Sequence, residues 1–118
     1  MAVSEASFLI LVALQDGPQH GYAILQRASG FGLGAAPPVA TLYATIDRLE
    51  RGGLISQERE EIVDGRARRF FVLTDEGSMA LRAEAVRLSR AAALVKPAKR
   101  LRAGRAAGPK RTTRVVGQ

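Results

Sequence analysis

The chain has 118 residues, enough for one domain with a real but modest core. It has no Cys, no Trp and a single His, which excludes disulfides and thiolate metal sites, and neither a metal nor another cofactor is expected. Its net charge of +7 is concentrated at the C-terminal end: eight basic and no acidic residues occur from Lys96 onward, leaving ten basic against eleven acidic residues before it.

A basic total is therefore no argument for nucleic acid by itself. The longest apolar run, residues 8–14, is far short of the roughly 20 residues of a membrane-spanning helix. Glu5 is the only early charge, where a secretory signal would be basic. The protein is expected in the cytoplasm, with no membrane partner.

The first helix is predicted to start at Ser4, a good N-cap, and to run to about residue 14. Residues 8–14 are apolar on every side, so this helix must be covered all round. Asp16-Gly17-Pro18 breaks the chain. A second helix is predicted over residues 20–29, with Tyr22, Ile24, Leu25 and Ala28 on its apolar side and Gly30 as its stop. Residues 31–38 read as a Gly-, Ala- and Pro-rich loop. The loop lacks the Lys-Ser/Thr of a phosphate-binding loop and follows no strand.

The third helix is predicted from residue 38 or 39 to 51, with Val39, Leu42, Ile46 and Leu49 as one inward stripe and Gly52-Gly53 as its end. A two-stranded β-hairpin follows. Residues 54–63 and 66–73 flank Asp64-Gly65, a turn that needs positive φ at both central positions. Arg66, Arg68, Phe70 and Val72 share one face of the second strand, and Ala67, Arg69, Phe71 and Leu73 the other. A fourth helix starts after Thr74, with Asp75 and Glu76 at the positive end of its dipole. Leu81, Ala85, Leu88, Ala92 and Val95 form a coiled-coil-like stripe suited to pairing with a second subunit, the alternative being packing on the first helix. Lys96-Pro97 ends it, and the basic tail that follows is expected to be disordered.

Three helices, a hairpin and a further helix make a mainly α fold, a winged helix-turn-helix plus a C-terminal dimerisation helix. The expected organisation is a DNA-binding domain over residues 1–74, a dimerisation helix over 75–95 and a basic tail over 96–118.

Four stretches resemble the PadR family of transcriptional regulators. Gly17-Pro18-Gln19-His20-Gly21-Tyr22 is similar to its turn between the first two helices, and Thr41-Leu42-Tyr43 to the core of its recognition helix. Arg48-Leu49-Glu50 with Gly53-Leu54-Ile55, and the run from Arg68 through Thr74 to Gly77, resemble the stretches that lead into and out of its wing. The match spans about residues 8–81. Pro38, Val39, Ala40 and Ala44 depart from the pattern around Thr-Leu-Tyr, and Phe71 stands where a Tyr is usual. The resemblance implies a homodimer on double-stranded DNA, usually repressing nearby genes, with a small-molecule effector in some members. The Trp of drug-binding members is absent, so that pocket is not carried over.

Opposite the apolar stripe of the third helix lie Ala40, Thr41, Ala44, Arg48 and Arg51, flanked by Tyr43 and Asp47. Small side chains allow close approach to DNA, Thr41 and Tyr43 suit phosphate or base edges, and Arg48 suits a phosphate or a guanine. The alternative is a solvated face with Arg48 and Arg51 paired to Asp47. Arg66 and Arg68 are placed on phosphates or in the minor groove; the alternative is a hairpin whose charges blunt its edge, with Glu58, Glu60 and Glu61 pairing with these arginines. Arg69, on the other face, is given a structural role. His20 lacks metal co-ligands and a nucleophile, so it is expected to position the turn between the first two helices, and no catalytic constellation can be assembled. The competing functions are a sequence-tolerant, nucleoid-type DNA binder driven by the tail and a winged-helix protein-interaction module.

Overall fold

Residues 3–33 and 37–98 are described by the structure, a computed structural model. They form, in order, α1 (Glu5–Ala13), β1 (Gln19–His20), α2 (Gly21–Ser29), α3 (Val39–Arg51), β2 (Ile55–Val63), β3 (Arg66–Leu73) and α4 (Asp75–Ala93). Helix α1 starts where Ser4 Oγ accepts from the Ser7 backbone N–H at 3.1 Å. Its apolar surround is explained by its position: α2, α3 and α4 all pack on it, and Leu9, Ile10, Leu11, Ala13 and Leu14 are buried. Full burial of each large side chain among these contributes roughly 1.5–3 kcal/mol, so α1 is the centre of the core.

Helix α3 buries Leu42, Thr45, Ile46 and Leu49, while Val39 is 60% exposed. The inward stripe therefore contains Thr45 in place of Val39. Two causes act together. The first turn of α3 overhangs the core, and the Thr45 hydroxyl donates to the Thr41 carbonyl at 2.7 Å, so its burial leaves no polar group unsatisfied. The helix ends with the Gly53 N–H bonded to Glu50 O and the Leu54 N–H bonded to Leu49 O. This closure requires a left-handed residue, and Gly53 has φ 80°.

The expected two-stranded hairpin is part of a three-stranded antiparallel sheet of order β1-β3-β2. Asp64 and Gly65 have φ of 53° and 78°, as the tight turn demands. The added strand is only two residues long. His20, paired with Phe70, fixes it. Its Nδ1 accepts from the Ala23 N–H at 3.2 Å, capping α2, and its ring meets Phe70 edge-on at 5.3 Å.

Thr74 caps α4 by accepting from the Gly77 N–H at 3.0 Å, and its own hydroxyl donates to Gly53 O at 2.6 Å. Leu81, expected in the seam between subunits, is only 6% exposed and belongs to the subunit's own core. That corrects its assignment: the first half of α4 is bound to the winged-helix body. Ala85, Leu88 and Ala92 are exposed on α4, and Val95 lies just past its end at 76% exposure. Glu84 is buried beside them and accepts a two-pronged interaction from Arg87 at 2.9 and 2.5 Å. Arg87 holds the Glu84 carboxyl below its usual range, against the desolvation that opposes it. A carboxylate depressed on folding stabilises the protein above its unfolded pKa, and that contribution is lost as pH falls through the lowered folded value. Glu84→Gln is therefore expected to flatten the loss of melting temperature below about pH 4.5, checked by thermal melts from pH 3 to 7.

No helix among the described residues is long and apolar enough to cross a membrane. Residues 96–98 follow α4 without regular structure. The rest of the basic tail and loop residues 34–36 lie outside the described residues.

Candidate nucleic-acid interface

Successive residues of α3 rotate by roughly 100°, and the exposed ones fall into three bands. Ala40, Ala44, Asp47 and Arg51 form the front. Tyr43, 44% exposed, lies on the flank toward the sheet. Thr41 and Arg48 lie on the opposite flank, where Arg48 borders a groove with Ser4, Ser7 and Gly52 and donates to Thr45 Oγ1 at 3.4 Å. Asp47 is paired with Arg51 at 2.8 Å, so the front of the helix carries no uncompensated negative charge. Arg48 does not join that pair.

The wing is formed by β2, β3 and their turn. Its acidic residues do not neutralise the arginines expected to face DNA. Glu58 and Glu61 are both taken by Arg59 on their own strand, which stacks over Phe70 at 4.2 Å. Glu61, with a smaller contribution from Glu58, holds the Arg59 guanidinium above its usual range. Arg69 is structural, as expected: it donates to Gln57 at 2.5 Å and to Glu50 at 2.6 Å, over the Phe71 ring at 4.9 Å. Thus Arg51, Arg59 and Arg69 are each paired, whereas Arg48, Arg66 and Arg68 have no acidic partner among the described residues.

Between α3 and the wing runs a groove to which Gly21, Tyr22, Tyr43, Asp47 and Arg68 contribute. The Tyr43 ring closes over Gly21, where a Cβ would lie 3.0 Å from Tyr43 Cε1. Gly21 and Tyr22 were not assigned to the interface from sequence, although both fall in the motif stretch between the first two helices. Their role depends on how α2 crosses α3, which no local pattern encodes. Gly21 is thus a spacer for the Tyr43 side chain. Alanine there suits a helix start better than glycine, so Gly21→Ala is expected to keep or slightly raise the melting temperature. It should also displace the Tyr43 ring and weaken DNA binding by about three- to tenfold, roughly one hydrogen bond, in an anisotropy titration.

Residues 10–83 match the transcriptional regulator PadR-like family. The chain is 42% identical over 72 residues to transcriptional regulator Rv3488 of Mycobacterium tuberculosis, covering 61% of this chain and 64% of that protein. In structure it is similar to smu.1704 from Streptococcus mutans UA159, with TM-score 0.65, 29% identity and coverage of 78% of this chain and 85% of that chain. It also shares its fold with Bacillus subtilis PadR in complex with operator DNA, with TM-score 0.62, 22% identity and coverage of 80% of this chain and 50% of that chain. The chain spans between 25% and 64% of the length of the curated relatives it matches. A helix-helix-helix-wing order, the motif stretches at their places on it and a family match running from α1 into α4 agree: the chain belongs to the PadR-like family of transcriptional regulators.

Proposed function

We propose that this protein is a cytoplasmic, sequence-specific DNA-binding regulator, a repressor without enzymatic activity, that acts as a homodimer on a near-palindromic operator. The observation that carries the reading is the surface of α3 and the wing. Small side chains at Ala40 and Ala44 let the helix approach a major groove, Thr41 and Tyr43 stand on its two flanks, and the arginines without acidic partners border it. Thr41, Tyr43 and Arg48 contact base edges or phosphates, and Arg66 and Arg68 contact phosphates or the minor groove. Residues 1–74 bind DNA. The exposed side of α4, with Ala85, Leu88, Ala92 and Val95, pairs with a second copy. Two-fold symmetry then sets half-sites about 34 Å apart. A small-molecule effector would act by changing that spacing. Residues 96–118 add affinity without sequence preference.

The test is selection from a random DNA pool at near-physiological salt, with the full chain and residues 1–95 in parallel. The reading expects both to enrich the same two-fold-symmetric sequence. Binding by the full chain alone, with nothing enriched, would replace it with a sequence-tolerant, tail-driven binder.

A further inference from the structure

Arg68 is an unusual cation. Its Nε is hidden from solvent and has no hydrogen-bond partner. Glu61 stands directly across from it in the β2–β3 register, yet that carboxylate is held by Arg59. The Arg68 guanidinium instead lies over the ring of Tyr22, 5.6 Å from its centroid. Tyr22 is half-exposed, and its hydroxyl oxygen accepts from Gln26 Nε2 at 3.2 Å, which leaves its own proton free to donate. Tyr43 enters the same groove from α3. Asp47 also borders it, but its carboxylate is engaged by Arg51.

A partly desolvated guanidinium without an acid is costly unless an anion completes it. Here one fixed cation and two phenols, supplied by α2, α3 and β3, border one groove. We propose that Tyr22, Arg68 and Tyr43 form a notch for a single backbone phosphate of duplex DNA, with Tyr22 a contact residue outside both the recognition helix and the wing. A phosphodiester fits this donor set: it carries one negative charge, and its two non-bridging oxygens accept from an arginine and from hydroxyls at once. The inference rests on the DNA-binding reading above.

The test uses the full chain, Tyr22→Phe and Arg68→Gln, titrated against short duplexes carrying the enriched site. Each duplex of a matching series has one phosphate replaced by a neutral methylphosphonate. For the unmodified protein, one replacement per half-site is expected to weaken binding by about ten- to a hundredfold. Arg68→Gln should lose a similar amount on the normal duplex, show no further loss at that replacement, and lower the salt slope by about one per subunit. Tyr22→Phe should lose about three- to tenfold at the same phosphate while enriching the same sequence. If Arg68→Gln does not fold, Arg68→Lys decides: an intermediate loss at that phosphate supports the notch, and an unchanged replacement profile overturns it. Variant profiles that superimpose on the unmodified protein's would sink the notch and leave the DNA-binding reading standing. An unmodified protein that enriches no sequence would sink both.

Discussion

Gly77→Ala is expected to be the most damaging single-atom-scale change in the molecule. A Cβ on Gly77 would lie 1.9 Å from the Leu54 carbonyl oxygen, 2.9 Å from its carbon and 3.3 Å from Leu73 Cδ2. The obstacle is backbone, so no side-chain rotation relieves it. Nor can Leu54 retreat freely: its carbonyl accepts from the Thr74 N–H at 3.1 Å, and the Thr74 hydroxyl donates to Gly53 O. The first turn of α4 must therefore move off the corner between α3 and β2, taking Leu81 out of the core. The expected cost is about 3 kcal/mol or more, at the upper end for overpacking. For a domain of this size that lowers the melting temperature by roughly 12–24 °C, measurable by circular dichroism. Met79→Ala, at a side chain 70% exposed on the same helix, should change it by less than about 3 °C. A Gly77→Ala protein that melts with the parent would show that α4 does not sit against Leu54.

The largest functional effect is expected from replacing Thr41, Tyr43 and Arg48 together with alanine. All three are exposed, so the core remains and the melting temperature should stay within a few degrees. Affinity for the enriched site should fall on the order of a thousandfold, toward non-specific binding. The residual binding should keep a salt dependence carried by the wing and tail cations. If a folded triple variant still binds the same site within about threefold, α3 is not the reading element. The structure adds a reason to test the residues singly as well. Tyr43 and Arg48 occupy opposite flanks of α3 and border different grooves, so without a shared partner their losses should be close to additive.

Much of this was written locally. Ser4 and Thr74 are helix caps by side-chain chemistry, and Asp64-Gly65 is a turn because two consecutive positive φ angles suit few other pairs. Such signals need only neighbouring residues. What escaped was decided by packing at a distance. Periodicity favoured Val39 over Thr45, because a stripe on a helix wheel does not show where the helix overhangs its core. Leu81 fits an intersubunit seam as well as an intrasubunit one until α1 is seen beneath α4. β1 has no pattern of its own; two residues pair with β3 because His20 packs on Phe70. At the interface, the sequence left two readings of the β3 arginines open, contact with DNA or pairing with the glutamates of β2. In the structure Arg59 takes Glu58 and Glu61, which leaves Arg68 without an acid.

The burial of Leu9, Ile10, Leu11, Ala13 and Leu14 on α1 and at its end bears on how the chain is made. This segment is made before the groups that cover it, which come from α2, α3, the sheet and finally Leu81 on α4. At roughly 5–20 residues per second, the delay between Leu11 and Leu81 is about 4–14 s. Until that interval ends Ile10, Leu11 and Leu14 lack part of their native cover. The nascent chain must either be held by a chaperone or risk sticking to its neighbours. Synonymous slowing of translation before the α4 codons should therefore raise the aggregated fraction of newly made protein without changing the stability of the molecules that finish folding.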